Sequence, residues 1–291
     1  MKHVAFATYS NEPQMYKGDQ LLIHPLLRRR IETTAVTWDD PNADWSVFDA
    51  VVLRSTWDYH LRIEEFQGWL GTLEDIGVTV LNPLPLVRWN MNKQYLQQLA
   101  ERGIRTLPAL YLQAGERTAL SSVLAEQAWE QAVVKPLVSA SGDDTWQTTS
   151  AVAAFDQGKL DAMLRKQGAI IQPFAPQIRE GEWSLMFFNG IFSHAVLKKP
   201  AEGSMFVHVE RGGSNHLQEP PHALIAQAGQ VIRTAHEITG IQPIYARVDG
   251  VVEDGHLVLM ELECIEPELF LTEGVPYAAE RFADAIAWAM D

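Results

Sequence analysis

The segment Tyr245-Ala-Arg-Val-Asp249-Gly, followed after a short turn by Met260-Glu261-Leu-Glu263, carries the residues best suited to chemistry in this 291-residue chain. Two strand-like runs, VDGVV and HLVLMELE, are joined by Glu253-Asp254-Gly255, a sequence that favours a tight hairpin turn. Alternation along a strand puts Arg247 and Asp249 on one face of the first run, and Glu261 and Glu263 on one face of the second. Three carboxylates then converge. Such a cluster is unfavourable unless a cation neutralises it, and Mg²⁺, a hard ion that takes oxygen ligands, is the natural candidate. A solvated outer face of a hairpin would carry acids without any ion. The apolar VV and VLM runs beside these acids favour the enclosed, ion-holding alternative.

Other residues suggest an anion and a flat aromatic ligand. Lys135 ends the apolar run Gln131-Ala-Val-Val-Lys135-Pro136 and precedes a small, polar loop, Ser139-Ala-Ser141-Gly142-Asp-Asp. Small residues let backbone N–H groups approach an anion closely, and a lysine adds charge, although loops of this composition are common without a ligand. Ala169-Ile-Ile-Gln172-Pro173-Phe174 reads as a strand stopped by proline, whose edge offers backbone groups to the rim of a purine. Nearer the N-terminus, Arg54-Ser55-Thr-Trp57-Asp58-Tyr59-His60 follows an apolar run and is a candidate for substrate contact, with loop packing by Trp57 and Tyr59 as the equal alternative.

The elements that must position these residues follow from periodicity. HVAFAT (3–8), TTAVTW (33–38) and DAVVLRS (49–55) are predicted strands, with helices near 19–30 and 62–76, which is the pattern of an open α/β sheet. Asn82-Pro83-Leu84-Pro85 reads as a linker, and VRWNMNKQYLQQLAERG as a helix that ends at Gly103 and contains Lys93. A second strand pair turns at Asn189-Gly190, with Lys198 and Lys199 at its end, and helices are expected over 221–239 and 278–290. The length suits two or three subdomains, and 47% hydrophobic content is enough for a sizeable core.

Several classes of function are disfavoured. A formal charge of −14 repels nucleic acid and anionic membrane, and Arg28-Arg29-Arg30 is explained as the C-terminal end of a helix. Cys264 is the only cysteine, so there is neither an intrachain disulfide nor a cysteine-based zinc site. No apolar run is long enough for a signal-peptide core or a membrane span, which makes the cytoplasm the expected location. Tyr9-Ser-Asn-Glu-Pro13 stands where a dinucleotide-binding glycine fingerprint would follow the first strand, and there is no Walker-type loop or Gly-x-Ser-x-Gly elbow. His194, His208 and His216 lack the spacing of a zinc site. His208 reads as a wall residue or a base, and Cys264 as buried packing.

In order, strand-ending Lys135, the segment 172–174, an aspartate and a late Glu-x-Glu resemble the ATP-grasp ligases, in particular their glutathione-synthetase-like branch, over residues 80–275. RSTWDYH, NPLPLVRWNMNK, VVKPLVSASG and MELECIEPELF resemble the subgroup that includes the ligase closing O-ureido-D-serine to D-cycloserine. The resemblance implies an α/β (α+β) ATP-grasp fold: an N-terminal open α/β domain over 1–84, a central subdomain over 85–169 and a C-terminal subdomain over 170–291, the last two clamping ATP. It also implies roles for residues. Lys93 and Lys135 would be the lysines on the ATP phosphates, the loop of Ser139, Ser141 and Gly142 would cover them, Gln172, Pro173 and Phe174 would hold adenine, and Glu182 would bind the ribose. Asp249, Glu261 and Glu263 would hold two Mg²⁺ ions, and Lys198 would stand where relatives carry an arginine facing the γ-phosphate. There are two departures, Ser184 in place of another arginine and Glu263 in place of the usual asparagine.

The expected activity is therefore an ATP-dependent carboxylate–amine ligation through an acyl phosphate on a small amino-acid-like substrate, with intramolecular cyclisation as one form. Arg247 is expected to orient the substrate carboxylate, or else to bridge the neighbouring acids. Arg54, Ser55, Trp57 and Tyr59 are the expected substrate contacts, and residues 139–145 and 199–216 the expected lids. A small-molecule kinase and a nucleotide-binding regulator without turnover remain as alternatives. The expected partners are ATP and a small carboxylate rather than nucleic acid or membrane, acting on a monomer or homodimer.

Overall fold

A computed structural model of the chain describes residues 1–140, 142–204, 206–207, 209–273 and 275–291. Its elements run in the order β1 (Lys2–Thr8), α1 (Ile23–Arg28), β2 (Ile31–Thr37), β3 (Ala50–Leu53), α2 (Ile63–Ile76) and β4 (Thr79–Leu81). Next come α3 (Leu84–Asn90), α4 (Tyr95–Glu101), β5 (Leu110–Leu112), α5 (Leu120–Glu126), β6 (Gln131–Pro136), β7 (Trp146–Thr149) and α6 (Ala153–Leu164). The last third holds β8 (Ala169–Pro173), β9 (Glu182–Phe188), β10 (Ile191–Lys199), β11 (Ser214–Leu217), α7 (His222–Thr239), β12 (Tyr245–Glu253), β13 (His256–Glu263) and α8 (Pro276–Ala289). They form three sheets.

The first sheet, β2-β1-β3-β4, is parallel, as expected where helices cover both faces. Val4 and Phe6 of β1 point to a core shared with Phe282 and Ile286 of α8, while Ala5 and Ala7 point to Phe66 and Leu70 of α2. The first core also contains Phe188 of β9 and Tyr245 of β12, so α8 is packed between the N-terminal and C-terminal sheets. The run Arg28-Arg29-Arg30 closes α1, and Arg29 pairs with Glu280 at 3.0 Å and Asp284 at 2.6 Å on α8. This is the helix-end role expected of it.

The central sheet, β5-β8-β6-β7, is antiparallel and has an apolar core of its own with α5 and α6, including Leu120, Leu160 and Ile171. Because β8 pairs with both β5 and β6, this sheet continues to Pro173, past the expected boundary at 169. The C-terminal sheet, β11-β10-β9-β12-β13, is antiparallel and is covered by α7. The bulge between Asp249 and Gly250 lets β12 pass close to β13: a Cβ on Gly250 would lie 2.6 Å from the Val258 carbonyl oxygen.

Periodicity misplaces Lys93. The expected continuous helix is broken after Asn90, where the Asn92 side-chain oxygen accepts the Gln94 N–H at 2.9 Å and restarts the chain as α4. Lys93 therefore sits in the break rather than on a helix face. Its backbone N–H donates to the Leu137 carbonyl at 2.8 Å, joining this turn to the segment after β6.

His194 of β10 provides a pH handle on stability. It donates from Nε2 to the Leu269 carbonyl at 2.8 Å, and its Nδ1 lies 3.0 Å from the Ser193 hydroxyl, which can serve as its donor when the ring is neutral. Burial, helped by the Arg281 charge, holds its pKa at about 4 instead of 6.5. A depressed pKa of this kind gives stability that is complete above pH 6.5 and is lost as pH falls through the window from 6.5 to about 4. Unfolding by urea at roughly pH 7.5 and 4.5 should show a loss of about 2–3 kcal/mol that His194→Gln removes. An unchanged pH slope in that variant would show that other groups set it.

Candidate active site

A cavity of about 850 Å³ opens where the three sheets meet. Its floor is the β12–β13 hairpin. The register pairs Arg247 with Glu263 and Asp249 with Glu261, so alternation places all four side chains at one end of the ladder, as the sequence pattern predicts. Asp249, Glu261 and Glu263 each offer a carboxylate oxygen within 4.8 Å of the others. An all-oxygen, partly buried set of that span fits Mg²⁺, whose ligands stand about 2.0–2.1 Å from the ion.

Basic side chains neutralise these acids in the free protein. Arg247 donates from Nε and Nη2 to Asp249 at 2.8–3.0 Å, and from Nη2 to Glu263. The salt-bridge alternative for Arg247 is thus the arrangement observed. Lys93 reaches Glu261 and, at 3.1 Å, the Ser139 carbonyl. Lys198 lies opposite Glu182 in the β9–β10 ladder, pairs with it at 2.9 Å and stands 3.6 Å from Asp249. Ser184 donates its hydroxyl to Asp249. Ser184 occupies the place opposite Asp249 on β9.

The charge states follow from these contacts. Burial alone would raise the Asp249 carboxyl, but Arg247 and Lys198 outweigh it and hold it at about 2. Glu261 is also held low against the effect of burial, by Lys93 and Lys135. Glu263 is pushed up to about 8, because burial and the charges of Glu261 and Asp249 outweigh an Arg247 already shared with Asp249. Burial raises Glu182 in the same way. Lys135 is lowered to about 8, first by burial and then by the Lys93 charge. A pair of close lysines and an excess of buried acid both call for a ligand that carries each sign of charge.

The other expected residues gather around this floor. Lys135, Ser139 and Gly142 line one wall, and Gln172, Pro173 and Phe174 form an edge beside it. Ser141 and His208 lie outside the described residues. Arg211 donates to the Gly142 carbonyl at 3.2 Å, which brings the two expected lid segments together. Trp57 and Tyr59 line the opposite wall. Arg54 and Ser55 do not reach the cavity. Arg54 is buried, donates to Asp19 at 3.0 Å and to the Pro267 carbonyl at 3.0 Å, and holds the N-terminal sheet against the C-terminal segment. Ser55 is fully buried beside it. The strand-end loop brings Trp57 and Tyr59 to the cavity, Tyr59 also packing in the core against Phe66 as the packing alternative expects, whereas its first two residues lie inside the core. Cys264 is buried packing as expected, its thiol pushed up by burial.

Sequence reasoning missed Tyr9, Glu12, Tyr16, Glu266 and Glu268, all of which line the cavity. The first three follow β1 at its C-terminal end, and the same strand-end rule that marked residues 54–60 would have found them. Among the described residues, no helix is long and apolar enough to cross a membrane.

Comparison with known proteins agrees with this geometry. Residues 4–82 match the family described as the N-terminal domain of D-cycloserine synthetase DcsG. The cycloserine biosynthesis protein DcsG of Streptomyces lavendulae is 30% identical over 279 residues, which cover 90% of this chain and 92% of that protein. The crystal structure of D-cycloserine synthetase DcsG superposes with a TM-score of 0.89 at 26% identity, covering 99% of this chain and 100% of that one. At 15% identity, a D-alanine–D-alanine ligase from Bacillus anthracis solved with ATP has the same fold, with a TM-score of 0.67 over 100% of this chain and 97% of its own.

Proposed function

The chain belongs to the DcsG family of ATP-grasp ligases, and from that premise we propose that it joins a carboxylate to an amine of one small amino acid, closing a ring as in the conversion of O-ureido-D-serine to D-cycloserine. It is an ATP-dependent ligase. The observation that carries the finer reading is the meeting of three carboxylates with Lys93, Lys135, Lys198 and Arg247 in one cavity.

A carboxylate and the γ-phosphate of ATP repel each other, so phosphoryl transfer needs cations around the moving charge and an in-line approach. Lys93 and Lys135 face the loop at 139–145 and supply positive charge to the phosphates, while Gln172 and Phe174 offer the adenine an edge. Glu182 is suited to a ribose hydroxyl. Asp249, Glu261 and Glu263 would hold Mg²⁺, two ions in this reading, which when bound neutralises the phosphate oxygens. Lys198, beside Asp249, is suited to the γ-phosphate. Arg247, once its acids are shared with metal, presents a fork that matches the substrate carboxylate. The carboxylate oxygen bonds to the γ-phosphorus as ADP leaves. The oxygen-bound nitrogen then attacks the acyl carbon and phosphate leaves; with O-ureido-D-serine the carbamoyl group on that nitrogen must also be cleaved by water, departing as carbon dioxide and ammonia, while the lids at 139–145 and 199–216 keep bulk water from the acyl phosphate.

The test is turnover with ATP, Mg²⁺ and hydroxylamine in the presence of pooled small carboxylates, O-ureido-D-serine among them. Hydroxamate together with phosphate release is the expected result, and ring product without hydroxylamine identifies a cyclase. ADP with a stable phosphorylated product and no hydroxamate would make the protein a kinase instead.

A further inference from the structure

One buried carboxylate in the cavity takes no part in the chemistry described above. Glu266 is 7% exposed and lines the cavity, yet no ion pair and no side-chain donor meets it among the described residues. Its one stabilising hydrogen bond comes from its own backbone N–H. Burial raises it to about 7, and the charge of Glu261 adds to that. The nearby cations are engaged elsewhere: Lys93 with Glu261, Lys198 with Glu182, and Arg247 with Asp249 and Glu263. An unpaired carboxylate at that depth costs stability, and a cationic ligand would offset the cost.

The surroundings define the ligand. Trp57 donates its indole N–H to the Glu266 carbonyl at 3.1 Å, which fixes the ring on this wall. Tyr16 packs edge-on against Trp57 at 5.1 Å and donates its hydroxyl to Glu268 at 2.8 Å, and Tyr9 stands 6.2 Å from Trp57. Trp57 and Tyr59 line the cavity with Glu266, Trp57 through the Glu266 main chain and Tyr59 within reach of its charge, and aromatic faces near a carboxylate attract a small cation with N–H donors. They are poor ligands for a metal ion, which has the oxygen set of Asp249, Glu261 and Glu263 available instead. Arg247 lies between the two regions, since its Nη1 donates to the Glu268 carbonyl at 3.0 Å. The Arg247 charge also acts on Glu266, so an α-amino acid whose carboxylate meets Arg247 can extend its ammonium, carried on the adjacent carbon, to Glu266.

We propose that Glu266, on the wall it shares with Trp57 and Tyr59, binds the primary ammonium group of an amino-acid substrate and so selects amino acids over their deaminated counterparts. The assignment rests on the ligase reading, and its test separates the two. Binding of O-ureido-D-serine and of 3-(ureidooxy)propionic acid, which lacks only the amino group, is measured by calorimetry with ADP and Mg²⁺ present. The amino acid should bind roughly 30-fold or more tightly than the deaminated acid, as expected for a desolvated charge pair. Glu266→Gln should abolish that preference and leave affinity for the deaminated acid unchanged. The same variant should melt at the same or a higher temperature than the parent, because it removes an unpaired buried charge, whereas a purely structural role would lower it. Glu266→Asp should recover part of the preference. Equal binding of the two acids by the parent would overturn the ammonium subsite and leave the ligase reading standing. Failure of either acid to bind, in a protein that binds ADP, would overturn both. A Glu266→Gln variant that retains the binding preference but turns over slowly would also overturn the subsite and assign the residue to proton transfer.

Discussion

Glu261→Gln should lower ATP-dependent carboxylate activation by about a thousandfold or more while leaving the fold intact, a loss of the size seen when one preorganised electrostatic group is removed from a transition state. Glutamine keeps the volume and one oxygen, so the β13 ladder need not change. What it removes is the charge that the site is arranged around. Lys93 reaches this carboxylate directly, and Lys135, already lowered to about 8, is held up in part by it. In the variant both lysines face each other with less to offset their repulsion, and the Lys135 pKa should drop further, so its charge is lost at neutral pH. The proposed Mg²⁺ site would lose one of its three carboxylates in the same step. Phosphate release and hydroxamate formation, measured together with a far-ultraviolet circular dichroism spectrum, check the prediction. Turnover within tenfold of the parent, in a folded variant, would mean that the carboxylate cluster is not the metal site.

Asn82→Ala is expected to destabilise the protein by about 3–5 kcal/mol, a large effect for one surface-independent substitution. Asn82 is fully buried and uses both ends of its amide. Its Nδ2 donates to the Tyr245 and Cys264 carbonyls, each at 2.8 Å, and its Oδ1 accepts the Ile244 N–H at 2.6 Å. Alanine leaves three main-chain groups in the interior without partners, at roughly 1–3 kcal/mol each before relaxation. Asn82→Asp keeps the acceptor and loses the donor, so it should fall between. The urea midpoint at constant slope gives the answer, and a change under about 1 kcal/mol would mean that water or a shifted backbone replaces the side chain. Beside it, the Tyr245 hydroxyl lies 2.8–3.0 Å from the carbonyls of Leu53, Leu81 and Ile265, so one phenol and one amide join the first sheet to the last.

The active site was the more legible part of this sequence, because its residues obey local rules. A two-residue period is enough to put Asp249 and Glu261 on facing positions once the turn at 253–255 is recognised, and the strand end at Lys135 is marked by a proline and a run of small residues. The parallel first sheet was equally plain in its apolar runs. What escaped depended on distant partners. Lys93 reads as helical by period, and only the Asn92 side chain and the Leu137 carbonyl, 44 residues further along, explain the break. Arg54 reads as a loop residue until Asp19 and Pro267 claim it. Short strands such as β4, β7 and β11 have three or four residues each, too few for any period to register, and exist because a neighbour supplies the ladder. Glu266 and Glu268 stand just beyond the acids that were recognised, and their exposure to the cavity is set by how the chain leaves β13, which no local pattern encodes.

The distribution of apolar packing also has a mechanical consequence. The N-terminal and C-terminal sheets share one core through α8, whereas the central sheet keeps its Leu120, Leu160 and Ile171 to itself. Two bodies of unequal size result. The larger holds Asp249, Glu261 and Glu263, and the smaller holds Lys135 and the Gln172–Phe174 edge. They meet where the Lys93 N–H donates to the Leu137 carbonyl and where Leu137 and Ile170 enter the core of the C-terminal sheet. The smaller body is therefore built like a jaw: a tilt that widens the bite would disturb the seam at Leu137 and Ile170 and leave Leu120, Leu160 and Ile171 packed. Exchange of nucleotide by such a tilt would cost the buried apolar surface of that seam alone and not the core of either body.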